Sequence, residues 1–139
     1  MNEKLDELLC QRYPKMMVNR DKSMMETCMC WGFSCGDGWF NILDQLMGNI
    51  QHHIDWKNKN GEVMHQVTLD QVKEKFGTLR FYYTGGDDYI DGMVTMAESM
   101  SGVTCEECGN PGKRIGGSWV TTLCKEHAKA RDIVYEEDL

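Results

Sequence analysis

Four residues late in the chain carry its most specific chemical pattern. In TCEECGNPGKRIGGSWVTTLCKEH, two residues separate Cys105 from Cys108, fifteen follow, and two more separate Cys124 from His127. Thiolate sulfur and imidazole nitrogen are preferred zinc donors. Two such pairs can converge on a tetrahedral ion because each closes through a tight turn or the first turn of a helix. Three cysteines and one histidine fill all four positions and leave none for a reactive water. The expectation is one structural Zn2+ and no catalysis.

Other chemically capable residues group less well. Cys28, Cys30 and Cys35 lie close together in ETCMCWGFSCGDGW, where Cys10, His52 or His53 could complete a second metal site. Cys-x-Cys is an uncommon zinc pair and cysteine buries readily, so free thiols are expected there. His52 and His53, followed by Asp55, suggest a hydrolase site, but adjacent helical residues point about 100° apart and do not converge alone. GDGW at 36–39 lacks the spacing and lysine of a phosphate-binding loop and reads as a turn and cap. No His-x-Glu occurs, which excludes the zinc deaminase pattern. VKEKFGTLRFYY sets Lys73, Lys75 and Arg80 beside Phe81, Tyr82 and Tyr83, a mixture suited to base stacking and equally to an amphipathic hairpin.

The elements that must position the four metal donors can also be read. Gly109 follows the first pair, where a knuckle needs unusual dihedrals. KRIGG and SWVTTL form a short hairpin turning at Gly116 and Gly117, and Cys124 opens a helix-forming stretch, CKEHAKARDIV, at 124–134. Knuckle, hairpin and ligand-bearing helix resemble the treble-clef zinc fingers over residues 104–134. With few large apolar side chains of its own, this lobe should draw folding energy from the metal.

Upstream, Leu5, Leu8 and Leu9 give a short helix over 2–12, and 14–36 reads as a long connection. Asp37 can cap a long helix with Trp39, Leu43, Leu46, Ile50 and Ile54 on one face. Alternation at Val63, His65, Val67 and Leu69, and at Leu79, Phe81 and Tyr83, gives two strands within 63–84, joined by a turn at 76–78. Asp87 or Asp88 caps a third helix that buries Ile90, Val94, Ala97 and Met100 and ends at Gly102. The fold class is therefore α+β: helices packed on a small antiparallel sheet, with a treble-clef-like zinc finger at the end. One domain over 1–139 is expected, divided into a body (1–103) and a zinc-binding lobe (104–134).

The 139 residues are 41% hydrophobic, with seven cysteines and a formal net charge of -7. An odd cysteine count, no basic-then-apolar amino terminus and no long apolar run point to a reducing cytoplasm and no membrane span. No Lys or Arg occurs between Arg80 and Lys113, while Asp87, Asp88, Asp91, Glu98, Glu106 and Glu107 do, and Glu136, Glu137 and Asp138 follow later. Such a field opposes phosphates and favours a basic protein partner. Lys113, Arg114, Lys125, Lys129 and Arg131 around the metal site offer the competing reading, direct binding of nucleic acid by a zinc-finger module.

CMCWGFSCGDGWF, VKEKFGTLRFYY, TCEECGNPG, WVTTLC and the EH pair together resemble a group of small zinc proteins of phages and prophages, and the chain is similar to zinc-containing anti-CRISPR proteins directed against Cas9. The resemblance implies a non-enzymatic inhibitor, acting in the cytoplasm of a bacterial host, that blocks DNA loading or cleavage by direct contact. On that reading Asp87, Asp88, Asp91, Glu98, Glu106 and Glu107 form the partner-binding face, opposed to the effector's basic channel.

Overall fold

Asn2 opens the first helix, α1 (Glu3–Arg12), by accepting the Leu5 amide at 2.9 Å, one of the donors that a helix start leaves unpaired. The computed structural model describes residues 1–137, so Asp138 of the expected acidic cluster lies outside the described residues. Leu9 is fully buried, whereas Leu5 and Leu8 are only partly so. The helix also buries a carboxylate: Asp6 accepts the Phe33 amide at 2.9 Å and pairs with Arg20. Those partners offset the desolvation that an isolated buried charge would suffer.

Residues 14–36 run through successive turns that bury Met16, Met17 and Met29, then form a two-residue strand, β1 (Phe33–Ser34). The long helix α2 (Phe40–Lys59) buries Leu43, Leu46, Ile50 and Ile54 as expected, with Met47 added. Asp37 does not cap it. Asp37–Trp39 is a 3-10 turn, and the Asp37 carboxylate accepts the Asn2 backbone and side-chain amides at 2.6 and 2.9 Å.

The strand expected from Val63 begins later, as β2 (Thr68–Lys75), and Val63 is 92% exposed. In the register with β3 (Thr78–Thr84), Leu69 faces Tyr83 and Gln71 faces Tyr82, so Asp70 is an extra residue. That bulge resets the alternation and lets Leu69 and Val72 bury together. Phe76 and Gly77 close the hairpin with φ of 54° and 80°, the left-handed pair that a two-residue connection requires. β1 joins the other edge of β2 in parallel, so the sheet is mixed in the order β1-β2-β3 and not purely antiparallel.

Helix α3 (Asp88–Ser101) packs on β3 and α2. It buries Ile90, Val94, Ala97 and Ser101, while Met100, expected in the core, is 48% exposed. The Ser101 hydroxyl accepts the Leu79 amide at 2.8 Å and donates to the Glu98 carbonyl at 2.5 Å, so the helix end meets the sheet through polar bonds. Beyond it, β4 (Lys113–Ile115) and β5 (Thr121–Leu123) pair antiparallel and lead into α4 (Lys125–Ala130). This helix stops short of the expected 134 because Asp132 takes φ 55°, with Asp132 and Ile133 amides donating back to Lys129 and Ala128. Ile133 then seals a small separate core of Ile115, Leu123 and Ala128. No helix among the described residues is long and apolar enough to cross a membrane.

Asp87 caps α3 through the Ile90 amide at 3.0 Å and lies 2.9 Å from His53 Nε2. Burial acts to raise its pKa, but those two hydrogen bonds outweigh it and hold the carboxyl below its ordinary value. Folding therefore favours the ionised form. The resulting stability is complete above the unfolded pKa of about 3.9 and is lost as pH falls through the lower folded value. Asp87→Ala should cost about 1 kcal/mol in urea unfolding at pH 7. Asp87→Asn still caps, so it should retain most of that stability while flattening the acid-side decline.

Candidate metal centre

The first ligand pair sits on a turn closed by its own backbone. The Cys105 amide donates to the Asn110 carbonyl at 2.7 Å and the Gly109 amide to the Cys105 carbonyl at 2.9 Å, with Gly109 at φ 81°. The second pair straddles the start of α4. Cys124 is extended at the end of β5, and His127 is one helical turn further on, so both side chains share a face. The four donor atoms, Cys105 Sγ, Cys108 Sγ, Cys124 Sγ and a His127 ring nitrogen, all lie within 4.8 Å of one another. Cys108 Sγ is 3.7 Å from Cys124 Sγ; His127 Nδ1 is 3.7 Å from Cys105 Sγ and 3.2 Å from Cys124 Sγ. Tetrahedral bonds of about 2.3 Å to sulfur would place sulfurs about 3.8 Å apart, so the donor set fits one tetrahedral ion.

The electrostatics also call for a cation. Burial acts to raise the Cys105 thiol, yet the amides of Cys124, Cys108 and Glu107 outweigh it and bring the group down to about 7. Cys108 is pushed up to about 11 by desolvation and by the neighbouring sulfurs of Cys105 and Cys124, against the pull of the Asn110 amide. Like charges this close cannot all form unless a positive charge sits among them. Glu107 adds an orienting contact: Oε2 stands 3.6 Å from His127 Nε2 while Oε1 accepts Arg131 Nη2 at 2.5 Å. A carboxylate on that side favours the tautomer whose Nδ1 lone pair faces the sulfurs.

Sequence reasoning missed how this knuckle is seated. The Gly38 amide donates to the Glu106 carbonyl at 2.7 Å, the Gly36 amide to Glu106 Oε2 at 2.8 Å, and Trp39 Nε1 to the Thr104 carbonyl at 2.9 Å. A Cβ on Gly38 would overlap the Cys105 carbonyl and stand 2.6 Å from the Gly109 nitrogen. GDGW is thus the bed of the metal knuckle, and two glycines one residue apart were the available sign of close backbone approach. A second grip comes from the β2–β3 turn: Thr122 donates to the Gly77 carbonyl, and Arg114 donates twice to the Phe76 carbonyl, at 2.7 and 3.2 Å.

The remaining candidates separate. Among the described residues no second group of metal donors converges; Cys28 is exposed, Cys30 half-buried and Cys35 buried, its thiol pushed up to about 12 chiefly by desolvation. His53 turns to Asp87 and stacks on Tyr89 at 4.4 Å, while Asp55 accepts from Gln51 at 3.0 Å. The acidic set divides between α3 (Asp88, Asp91, Glu98, with Asp87 as its cap) and the knuckle (Glu106, Glu107), and most of it is engaged internally. Asp91 accepts the Tyr83 hydroxyl and Glu98 the Phe81 amide at 2.9 Å; Asp88 is exposed. Most of the lobe's cations are engaged too: Lys125 pairs with Glu137, Arg131 with Glu107, and Lys113 lies 4.9 Å from the Tyr135 ring, whereas Lys129 is exposed.

Glu107→Gln should weaken metal binding about tenfold to a hundredfold, read by competition with a chromophoric chelator, with the fold intact at saturating metal. No family model, no curated protein and no solved structure matches the chain.

Proposed function

We propose that this chain is a zinc-stapled, non-catalytic binding protein that inhibits a bacterial host's Cas9-type defence effector by direct contact. The observation that carries this reading is the completeness of the donor set: three cysteines and one histidine converge, which suits a structural Zn2+ and supplies no position for an activated water. The metal's work is then to hold the lobe, and function belongs to the surface it stabilises.

An apolar groove of about 490 Å³ between α2 and α3 supports a protein partner. Leu46, Met93 and Ala97 line it, joined by Met100 and by Met96, which is 63% exposed. Methionine side chains adapt to varied apolar contacts, and exposed Asp88 marks the acidic end of the same helix. A partner helix with an apolar face and a basic flank fits both features. Basic surfaces are what Cas9-type effectors use to load DNA. Nucleic acid binding through the zinc lobe draws less support, because Arg114, Lys125 and Arg131 are already committed to Phe76, Glu137 and Glu107.

Elemental analysis should find one zinc per chain, and Cys105→Ser should abolish it and lower the melting temperature; metal-free protein with an unchanged melt would refute the staple. With a purified, guide-loaded Cas9-type effector, the wild-type chain should inhibit DNA cleavage, and the Asp88→Lys, Met96→Lys double variant should lose at least about tenfold in potency. Equal potency would remove the groove from the account, and no inhibition by the wild type would remove the effector.

A further inference from the structure

Successive strand residues point to opposite sides of a sheet, so the β2–β3 pair has two unlike faces. Val72, Leu79 and Phe81 enter the core beneath α3, while Lys73, Lys75, Arg80 and Tyr82 occupy the outer side. Lys73 stands directly opposite Arg80 in the antiparallel register. Like charges in that position destabilise a ladder. No ion pair among the described residues offsets this cost: Lys73, Lys75 and Arg80 form none, Lys75 reaching only the Phe76 ring at 5.6 Å, and the buried Arg80 Nε has no hydrogen-bond partner. Asp70, at the bulge beyond Gln71, is held by the Thr84 hydroxyl at 2.7 Å. Tyr82 is 47% exposed and walls a groove of about 600 Å³ that Asn19, Lys22, Met24, Glu26 and Gln71 also line.

We infer that this outer sheet face binds single-stranded nucleic acid, with Lys73, Lys75 and Arg80 meeting phosphates and Tyr82 offering a stacking surface. The assignment is independent of the effector reading and uses a different face. An unoffset like-charge pair suits a phosphate-binding surface, since a bound phosphate between the two cations turns repulsion into attraction. The ring among the cations favours single strands, because duplex bases are stacked on one another and an acidic peptide has no use for a flat aromatic platform. The net charge of -7 does not forbid it. The α3 carboxylates lie on the other side of the sheet, and screening at physiological salt acts over about 8 Å.

The test uses full-length, metal-loaded protein and fluorescein-labelled twelve-residue oligo(U) and oligo(dT), followed by anisotropy between 50 and 200 mM salt. Binding should weaken with a log–log slope of about -2, as three phosphate contacts on a single strand imply. Lys73→Glu creates an opposite-charge pair with Arg80, so it should weaken binding at least about tenfold while raising the melting temperature. Lys73→Gln should do the same more mildly and serves as the control for any folding defect. Tyr82→Ala should weaken binding about tenfold with the salt slope unchanged. The inference is overturned if neither oligonucleotide binds at 50 mM salt, if a duplex of equal length binds as tightly, or if Lys73→Glu lowers the melting temperature. It is also overturned if polyglutamate competes fully and Tyr82→Ala has no effect, which would give the face to an acidic protein.

Discussion

The fold depends on one close approach, the backbone of residues 36–39 lying against the backbone of the metal knuckle. Glu106 joins them twice, through its carbonyl to Gly38 and its carboxylate to Gly36, and Trp39 reaches past it to Thr104. Side chains are excluded from the contact, since a Cβ at Gly38 would occupy the space of the Cys105 carbonyl. The same turn serves two other elements. It leads directly into α2, and Asp37 holds Asn2, which in turn caps α1. One four-residue segment therefore fixes the start of two helices and the position of a metal ligand.

The reason the knuckle needs such a seat lies in its size. The lobe's own buried hydrophobic residues are Cys105, Ile115, Leu123, Cys124 and Ala128, two of them prospective metal ligands. So small a core cannot outweigh the entropy of ordering the segment that forms it. The two grips on the body, at the Gly36–Trp39 turn and at Phe76–Gly77, supply part of the difference, and a cation held by the four donors would add to it. Without a cation the three sulfurs oppose one another's ionisation, as the contrast between Cys105 and Cys108 expresses.

What was legible in the sequence was whatever repeats or has fixed spacing. The ligand pairs, the stripe of α2 and most of that of α3 belong to this class, because one helical face or one ion demands them. What was not legible came from contacts between distant segments. β1 is two residues long and exists only because β2 offers an edge. β2 starts only at Thr68 because residues 62–67 meet no neighbouring strand: the Met64 amide donates to Asn58 Oδ1 at 2.8 Å instead, and Val63 stays exposed despite its alternating pattern. Met100 and Ser101 exchanged places because a buried hydroxyl bonded to the Leu79 amide satisfies the sheet edge, which a thioether does not. Asp132 ended α4 in a left-handed conformation usually left to glycine or asparagine, so nothing in the helix-forming composition announced it.

Charge shows the same gap between composition and placement. Read as a total, -7 describes an acidic molecule with an acidic face. In the fold, carboxylates are spent as structural acceptors: Asp87 on a helix start, Glu98 on a strand amide, Glu106 on a turn amide, Asp6 on the Phe33 amide. Each satisfies a backbone donor that burial would otherwise leave unpaired, and each is thereby less available to attract a partner. Lys73, Lys75 and Arg80 have no such internal role and oppose one another across the ladder. Part of the negative charge thus holds the chain together, while Lys73 and Arg80 stand opposite one another with no ion-pair partner among the described residues.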